Sequence, residues 1–246
     1  MDKCKAIRLM LSADALFGLI SWPIFSLSSY HILRSIRGLN FQPRTVLDIG
    51  ANIGQFSVAA SKLFPESNIY AFEPVPDAFA TLLKNVRSIE KVSAFQFAVG
   101  ASNEVREMTL NSHRHSSSLL ALGDAHTNAF PWAREENKIE VEVKTLDTVA
   151  DTLKFMSPVL LKIDVQGFEA HVLRGALATL QRIDFVVLET SFQPLYVGEA
   201  TFVELANLMA DNGFEFVGPL DWLASPKNGE ILQMDALFRR LAANNN

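Results

Sequence analysis

The chain has 246 residues, of which 49% are hydrophobic and 20% charged, so it is long enough to bury one substantial core and is unlike a disordered protein. Its formal net charge of -5 counts against broad electrostatic binding to nucleic-acid phosphates, and no run of Lys or Arg indicates a local basic patch, so we predict no nucleic-acid partner. The single cysteine, Cys4, excludes an intrachain disulfide and a cysteine-based zinc cluster, which favours a reducing compartment and predicts a cytoplasmic location.

Residues 1–43 are predicted to form a helical extension in front of the main domain. A mostly apolar stretch runs from residue 9 to residue 33, but Asp14 and Pro23 interrupt it. The stretch therefore fits neither a signal peptide nor a membrane span. One or two amphipathic helices that pack on the domain are the favoured interpretation. A lid role or contact with a membrane surface is the alternative that the sequence leaves open.

From residue 44 to about residue 240 the chain alternates short apolar runs with segments of helical spacing. The predicted strands are Thr45–Ile49, Asn68–Phe72, Ser93–Val99, Ile139–Val143, Val159–Val165, Phe185–Glu189, Phe214–Val217 and Ile231–Phe238. The predicted helices are Gln55–Phe64, Pro76 to about Val86, Gly167–Leu180 and Thr201–Asn212. This alternation indicates an α/β domain with a mainly parallel sheet and helices on both faces.

The segment from about residue 101 to residue 138 is predicted to be an insertion in this domain. It is polar, weakly patterned, and contains three of the five histidines, His113, His115 and His126. Such a long insertion in a compact domain is usually functional or disordered. The last residues, 241–246, are predicted to be a disordered tail.

The first predicted strand runs into a glycine-containing turn, and a helix follows at once. The sequence VLDIGANIG spans Val46–Gly54. Gly50 and Gly54 remove Cβ atoms where backbone must approach a ligand or a neighbouring element. Asn52 is one of the few non-glycine residues that tolerate a positive φ angle. The start of the helix offers free N–H groups that suit a carboxylate or a phosphate.

Two acidic residues indicate which ligand this turn holds. The dinucleotide pattern G-x-G-x-x-G and the P-loop pattern are both missing. Asp48, inside the turn, would repel a pyrophosphate but would accept a hydrogen bond from an ammonium group. Glu73, at the end of the second strand, is placed to accept hydrogen bonds from the hydroxyls of a ribose. The combination predicts S-adenosylmethionine as the ligand, and a generic strand–turn–helix is the alternative.

Several motifs together resemble one known family. They are Val46–Gly54 (VLDIGANIG), Tyr70–Pro74 (YAFEP), Ala98–Gly100 (AVG), Leu160–Gly167 (LLKIDVQG) and Ala236–Arg239 (ALFR). Over about residues 44 to 240 the chain resembles the FkbM family of S-adenosylmethionine-dependent methyltransferases. The resemblance implies a class I methyltransferase (Rossmann-like) fold, with a seven-stranded, mostly parallel sheet whose last strand is antiparallel. It also implies O-methylation of a hydroxyl on a small metabolite, sugar or glycan.

The resemblance also implies roles for the residues that hold the cofactor. The methionine end, the ribose and the adenine would each contact a different part of the strand edge. The residues at these three positions are Asp48, Gly50, Asn52 and Gly54 for the methionine end, Glu73 for the ribose, and Ala98 and Val99 beside the adenine.

Asp164 is the strongest catalytic candidate. It ends an apolar strand, and an acceptor hydroxyl needs alignment and a nearby proton acceptor during methyl transfer. The alternative is that its carboxylate caps the following helix. The family usually has glutamate where this chain has Gln166, so any role of that glutamate as a base or a metal ligand is in doubt here.

Two further residues are catalytic candidates, and a third is not. Glu189 ends the next strand on the same edge and is a catalytic candidate, with a structural rim acid as the alternative. His113 is a candidate base in the insertion, although a solvent-exposed loop histidine is the commoner case. His171 is predicted to be a surface residue. No metal is predicted, because no third ligand accompanies the two nearby histidines of the insertion.

Two other functions compete with methyl transfer at this point. One is a nucleotide-dependent oxidoreductase on a related sheet, which the missing glycine pattern disfavours. The other is a catalytically silent cofactor-binding or scaffold protein, which the glutamine at position 166 leaves open.

Overall fold

The computed structural model describes residues 13–111, 118–120, 135–225 and 228–242. The predictions for residues 1–12, for His113 and for the tail from residue 243 lie outside these ranges. The strands are β1 (Thr45–Ile49), β2 (Asn68–Phe72), β3 (Val92–Phe95), β4 (Ala98–Val99), β5 (Glu104–Asn111), β6 (Glu135–Lys144), β7 (Val159–Ile163), β8 (Phe185–Ser191), β9 (Phe214–Ala224) and β10 (Ile231–Arg240). The helices are α1 (Ala13–Ser21), α2 (Leu27–Gly38), α3 (Gln55–Leu63), α4 (Pro76–Val86), α5 (Leu146–Ala150), α6 (Glu169–Arg174), α7 (Leu177–Leu180) and α8 (Phe202–Asp211).

Seven strands form the main sheet, in the order β3-β2-β1-β7-β8-β10-β9. The pairs on either side of β1 are parallel, and β10 runs antiparallel to both β8 and β9. The order reverses between β1 and β7, which is where open α/β sheets bind their ligands. The predicted seven-stranded, mostly parallel sheet with one antiparallel strand is therefore confirmed.

The central strands are apolar on both faces because helices cover both sides of the sheet. All five residues of β1 and of β7 are buried. Leu47 and Leu161 belong to the core under α6, α7 and α8, whereas Val46 and Leu160 belong to the core under α2 and α3. Successive side chains of a strand point to opposite faces, so continuous apolar runs were the correct signal for strands buried on both sides.

The predicted helix Gly167–Leu180 is wrong in its extent, because the chain forms two short helices there. Gln166 and Gly167 have φ angles of 57° and 92°, which exclude them from a helix, so α6 begins at Glu169. Gly175 ends α6, and a Cβ at this position would overlap the carbonyl oxygen of Gly100. The close approach of two backbone segments thus stops a helix that side-chain spacing alone would continue.

The predicted insertion contains a strand that the sequence did not reveal. β5 pairs antiparallel with β6, and β6 pairs parallel with β4, to give a separate three-stranded sheet. The predicted strand Ser93–Val99 is divided into β3 and β4, which lie in different sheets. The predicted strand at Ile139–Val143 begins earlier, at Glu135.

Helix α2 packs directly on the main sheet. Tyr30, Leu33 and Ile36 have no exposed surface and belong to the same core as β1 and β7. In α1, by contrast, Phe17 and Ile20 are largely exposed. None of the helices in the described ranges has the length and apolar character that crossing a bilayer requires.

Candidate active site

A cavity of about 370 Å³ lies at the carboxyl ends of β1, β2 and β7, where the strand order reverses. Its volume falls within the range of about 300–1,000 Å³ that is usual for small-molecule sites. The N-cap residue of α2, Ser26, and Ser28 and Ser29 of its first turn contribute to the wall. The cavity therefore lies between the sheet edge and the N-terminal helices.

The turn after β1 brings main chain to the cavity wall. Gly50 has a φ angle of 79°, and a Cβ there would overlap the main-chain carbonyl oxygen of Asp164, the residue that follows β7. The N–H groups of Gly50 and Ala51 both donate to the carbonyl oxygen of Phe72, at 3.0 and 2.9 Å. Asn52 has a φ angle of 50°, which bears out the prediction that it adopts the left-handed conformation in this turn.

Glu73 is held rigidly at the end of β2. Its Oε2 accepts a hydrogen bond of 2.8 Å from the Asn52 N–H, and its Oε1 accepts one of 2.8 Å from the Val75 N–H. The residue is only 6% exposed, and that exposed part faces the cavity. Burial raises the pKa of Glu73 to about 7, although the two N–H donors act in the opposite direction. The carboxylate is thus preorganised to accept further hydrogen bonds from the cavity.

The part of the cavity beside β3 and β4 is apolar. Phe72, Phe97, Ala98, Val99 and Met108 all line it. The rings of Phe72 and Phe97 are 5.5 Å apart and tilted by 50°. Such a surface suits a flat, weakly polar ring system.

On the other side of β1, a buried lysine joins two carboxylates. Lys162 Nζ lies 3.5 Å from Asp48 Oδ1 and 3.2 Å from Asp164 Oδ2, and its side chain is 9% exposed. Burial alone would lower the pKa of Lys162, but the charges of Asp164 and Asp48 raise it above its ordinary value. Asp48 Oδ2 also accepts a hydrogen bond of 2.6 Å from Ser57 Oγ on α3. This ion pair therefore fixes β1, β7 and α3 beneath the cavity.

Gln166 connects the two predicted catalytic carboxyl groups. Its Nε2 donates to Asp164 Oδ1 at 3.0 Å and to Glu189 Oε2 at 2.9 Å. Its Oε1 accepts a hydrogen bond of 2.9 Å from the Tyr196 hydroxyl. The main-chain carbonyl of Gln166 also accepts a hydrogen bond of 2.6 Å from Ser118 Oγ. The amide thus keeps the carboxyl groups of Asp164 and Glu189 apart and correctly oriented.

Two carboxyl groups beyond Gln166 have strongly shifted proton affinities. Burial, followed by the charge of Asp164, raises the pKa of Glu189 well above its ordinary value. Burial raises the pKa of Asp235 to about 7, with the charge of Asp164 adding to the rise and Lys162 opposing it. Both residues line the cavity. Asp235, placed in a cleft with a pKa of about 7, is therefore a candidate for accepting a proton near neutral pH.

The structure brings most of the predicted site residues to one cavity. The predicted residues that line it are Gly50, Asn52, Glu73, Ala98, Val99, Asp164 and Glu189. Asp48 has no exposed surface and lies beneath the wall, bonded to Ser57 and Lys162. Gly54 is the residue before α3, and a Cβ there would press on Leu82 of α4.

The two histidine predictions have different outcomes. His113 lies outside the described residues, so its role as a base stays a prediction. His171 was predicted to be a surface residue, and this was wrong. Its ring is partly buried and stacks on Phe168, with 4.0 Å between the ring centres. Burial lowers the pKa of His171, which is the expected result of removing a cation from water.

Sequence reasoning missed three polar groups of this site. Lys162 is the only ammonium group among the described residues that line the cavity. Asp235 is the register partner of Glu189, and the Tyr196 hydroxyl donates to Gln166. A lysine inside an otherwise apolar strand was a usable signal for Lys162, because a buried charge needs a partner. For Asp235 only the pairing of β10 with β8 places the carboxyl group at the cavity.

The sheet order, the glycine turn after β1 and the buried acid after β2 define a Rossmann-like class I methyltransferase. Comparison with known proteins agrees with this class, since residues 48–216 match the family model of the methyltransferase FkbM domain. The chain belongs to the FkbM methyltransferase family. It is therefore a methyltransferase, and its methyl donor is S-adenosylmethionine.

The chain is similar to three curated methyltransferases over about three quarters of its length. It is 29% identical to the 2-O-methyltransferase NoeI of Sinorhizobium fredii, over 77% of this chain and 80% of that protein. It is 32% identical to the 31-O-demethyl-FK506 methyltransferase FkbM of Streptomyces tacrolimicus, over 75% of this chain and 78% of that protein. It is 25% identical to the hexuronic acid methyltransferase AglP of Haloferax volcanii, over 76% of this chain and 77% of that protein.

Proposed function

We propose that the protein transfers the methyl group of S-adenosylmethionine to a hydroxyl oxygen of a small metabolite, sugar or glycan. The observation that carries the proposal is the set of carboxyl groups at one end of the cavity, directly beyond the turn that would hold the donor. Asp164, Glu189 and Asp235 all line the cavity there. The names of the relatives support the same chemistry, since NoeI is a 2-O-methyltransferase and AglP acts on hexuronic acid.

The residues of the cavity fit S-adenosylmethionine in shape and in charge. Glu73 would accept hydrogen bonds from the two ribose hydroxyls, and Ala98 and Val99 would lie against the adenine. Gly50 and Asn52 would let main chain approach the methionine end. Among the described lining residues, four carry carboxyl groups and one carries an ammonium group, so the walls favour a cationic ligand such as a sulfonium.

The carboxyl groups beyond the donor site would orient the acceptor and take its proton. Bound S-adenosylmethionine supplies a methyl group on a sulfonium, whose transfer to a hydroxyl oxygen breaks the carbon–sulfur bond and releases the hydroxyl proton. Asp164, with its charge compensated by Lys162, would accept a hydrogen bond from the acceptor hydroxyl. Asp235 would receive the proton, because its pKa of about 7 suits a proton acceptor near neutral pH, and Glu189 lies beside it as its register partner.

Gln166 does not by itself argue for a silent protein. Its amide bonds to Asp164 and Glu189 and orients both carboxyl groups in the cavity. A glutamate at this position would place a third carboxyl group between them. We propose that Asp235 supplies the proton-accepting capacity that Gln166 lacks. The oxidoreductase alternative is set aside, because the family is one of methyltransferases.

Two binding measurements test the donor assignment. Calorimetry with S-adenosylmethionine should detect binding, and the same experiment with NAD should detect none. Tight binding of NAD without binding of S-adenosylmethionine would contradict the proposal.

Substitution of Asp164 tests its catalytic role. Asp164→Asn keeps the shape of the side chain and an oxygen for the Gln166 amide, but removes the charge. We expect transfer from labelled S-adenosylmethionine to fall by about 10²–10⁴-fold, with donor affinity changed only a few-fold. Equal transfer by the variant and the parent protein would remove Asp164 from the mechanism.

The sequence and the packing of the N-terminal helices also support proposals for the partners and the location of the protein. We propose a small-molecule or glycan acceptor and no nucleic-acid partner, since the net charge is -5. The packing of α2 on the sheet supports the proposal that the N-terminal helices cover the site. It favours this role over contact between the N-terminal segment and a membrane. The single cysteine supports a cytoplasmic location.

A further inference from the structure

A second cavity, of about 220 Å³, adjoins the first on the side of β8, β9 and β10. Ser28, Glu189 and Asp235 line both cavities, so the two meet at these residues. In the sheet order, this second cavity lies on the far side of β7 from the proposed ribose and adenine positions. A compound in it would approach the donor from the side of Glu189 and Asp235.

Three carboxyl groups form a row across neighbouring strands and lead into the first cavity. Asp221 on β9 is the register partner of Asp235 on β10, and Asp235 is the register partner of Glu189 on β8. Like charges directly opposite each other destabilise an antiparallel pair. The row therefore works against the stability of the sheet, and it borders the second cavity along its whole length.

Gln233 gives an independent indication of a ligand in this cavity. The residue lines the cavity, lies two positions before Asp235 on the same face of β10, and is only 8% exposed. Within the described ranges, nothing forms a hydrogen bond with its side-chain amide. The amide opens into the cavity rather than being shut off from solvent, so a ligand that both donates and accepts hydrogen bonds can replace water there. A hydroxyl group has this property.

The remaining wall of the second cavity is partly apolar. Trp222 and Leu223 line it, and Trp222 is 36% exposed. An aromatic ring beside polar groups suits a compact molecule that has hydroxyls on its edge and C–H groups on its face.

We infer that the second cavity is the acceptor subsite and that it selects an uncharged polyhydroxylated compound, such as a sugar ring, over an anionic analogue. The inference rests on the proposed function. Asp221 and Asp235 would accept hydrogen bonds from acceptor hydroxyls, and the Gln233 amide would bond to a neighbouring hydroxyl. The same carboxylates would repel an acceptor that carries a carboxylate, which makes them the elements of discrimination.

Binding to the protein saturated with S-adenosylhomocysteine tests the inference at pH 8, where Asp235 is ionised. Methyl glycosides of glucose, galactose and mannose are compared with the methyl glycosides of the corresponding uronic acids, by saturation-transfer NMR and titration. We expect at least one neutral glycoside to bind about tenfold or more tightly than its uronic acid partner. No binding by any neutral glycoside, or equal or tighter binding of the uronic acids, would overturn the inference.

Matched variants test whether residues of the second cavity cause the preference for neutral glycosides over uronic acids. Gln233→Met keeps the side-chain volume and should weaken the binding of neutral glycosides about five- to tenfold, through loss of hydrogen bonds. Asp221→Asn should reduce the preference over uronic acids by a similar factor. Glu215→Gln makes the same charge change on an exposed part of β9, where Glu215 pairs with Arg239, and should alter neither quantity. Unchanged glycoside binding by Gln233→Met would contradict the role of Gln233.

The affinity for S-adenosylmethionine separates this inference from the proposed function. Both subsite variants should bind the donor as the parent protein does. Methyl transfer to a phenol or an aliphatic alcohol, without binding of neutral glycosides, would overturn the subsite and leave the proposed function intact. Failure to bind S-adenosylmethionine would instead count against the proposed function.

Discussion

At the scale of single residues, a small number of polar side chains each bind several carboxyl groups of the site. The Gln166 amide donates to two of them, and the single charge of Lys162 is shared between Asp164 and Asp48. Buried carboxylates without such partners would take up protons or would be unstable. The neighbours of each acid therefore determine its properties. The charge of Asp164 is compensated, whereas the proton affinity of Glu189 is raised.

The pKa of Glu73 predicts a pH dependence of donor binding. Only the ionised carboxylate accepts strong hydrogen bonds from both ribose hydroxyls, and burial raises its pKa to about 7. The affinity for S-adenosylmethionine should therefore rise with pH through about 7 and fall below it as Glu73 becomes protonated. Glu73→Gln should weaken binding about ten- to hundredfold and abolish this pH dependence.

Calorimetry between pH 6 and pH 8 measures both effects. Glu66→Gln is the matched control, because Glu66 is an exposed glutamate that pairs with Lys91 away from the cavity. The control should bind the donor as the parent protein does. A Glu73→Gln variant that kept the full pH dependence would rule out Glu73 as its source.

At the scale of secondary-structure elements, the turn between β1 and α3 makes the site possible. It is anchored to β2 by the N–H groups of Gly50 and Ala51, and it touches the carbonyl of Asp164, directly after β7. Any side chain at position 50 would push these strands apart. The turn therefore couples the donor side of the cavity to the strand that carries the strongest catalytic candidate.

Replacement of Gly50 measures how much this close approach matters. Gly50 and Gly198 have φ angles of 79° and 81°, but a Cβ at Gly198 would meet nothing within 4 Å. Gly198→Ala should reduce the free energy of unfolding by about 1–2 kcal/mol, the effect of backbone conformation alone. Gly50→Ala should reduce it by a further ~1–3 kcal/mol because of the overlap with Asp164. Denaturant titration of both variants gives the comparison, and equal losses would show that the overlap relaxes freely.

The central strands were predictable from the sequence because their apolar pattern matches their buried position in the fold. The predicted bounds of β1 and β2 are those of the structure, since both are apolar runs bounded by turn residues. The strand β5 was missed because its apolar residues, Val105, Met108 and Leu110, do not alternate regularly. Val105 is 68% exposed, so this strand carries little of the signal that burial leaves in a sequence.

The donor side of the site was predictable to a greater extent than the acceptor side. Gly50, Asn52 and Glu73 follow strands directly, so their position at the sheet edge follows from the parallel topology. Asp221 and Asp235 lie within strands, and only the register of β8, β9 and β10 brings them together. No local motif encodes that register.

At the scale of the whole molecule, the two sides of the cavity have different surfaces. Phe72 of β2 and the strands β4 and β5 of the small sheet carry the apolar surface, and Glu73 follows β2, while β8, β10 and β9 carry the acidic row. Helix α2 covers the junction, and its Ser28 donates a hydrogen bond of 2.9 Å to Asp221. The N-terminal helices and the last hairpin are therefore connected across the opening of the site.

The buried ion pair at the centre of the sheet predicts a large effect on stability. Lys162→Met leaves Asp48 buried and without its cation, which should reduce the free energy of unfolding by about 3–5 kcal/mol. Adding Asp48→Asn removes the uncompensated charge and should restore part of the loss. Denaturant titration of the single and double variants measures the coupling between the two residues. If the double variant lost as much as the sum of the single variants, the ion pair would not be a structural unit.

The central claim is that this chain transfers the methyl group of S-adenosylmethionine to oxygen. The most direct measurement uses donor with a ¹³C-labelled methyl group, a panel of sugars and hydroxylated metabolites, and NMR of the products to locate the label. We expect the label on an ether oxygen of the product, together with one equivalent of S-adenosylhomocysteine. A label on nitrogen, carbon or sulfur, or no transfer to any member of the panel by protein that binds the donor, would contradict the account.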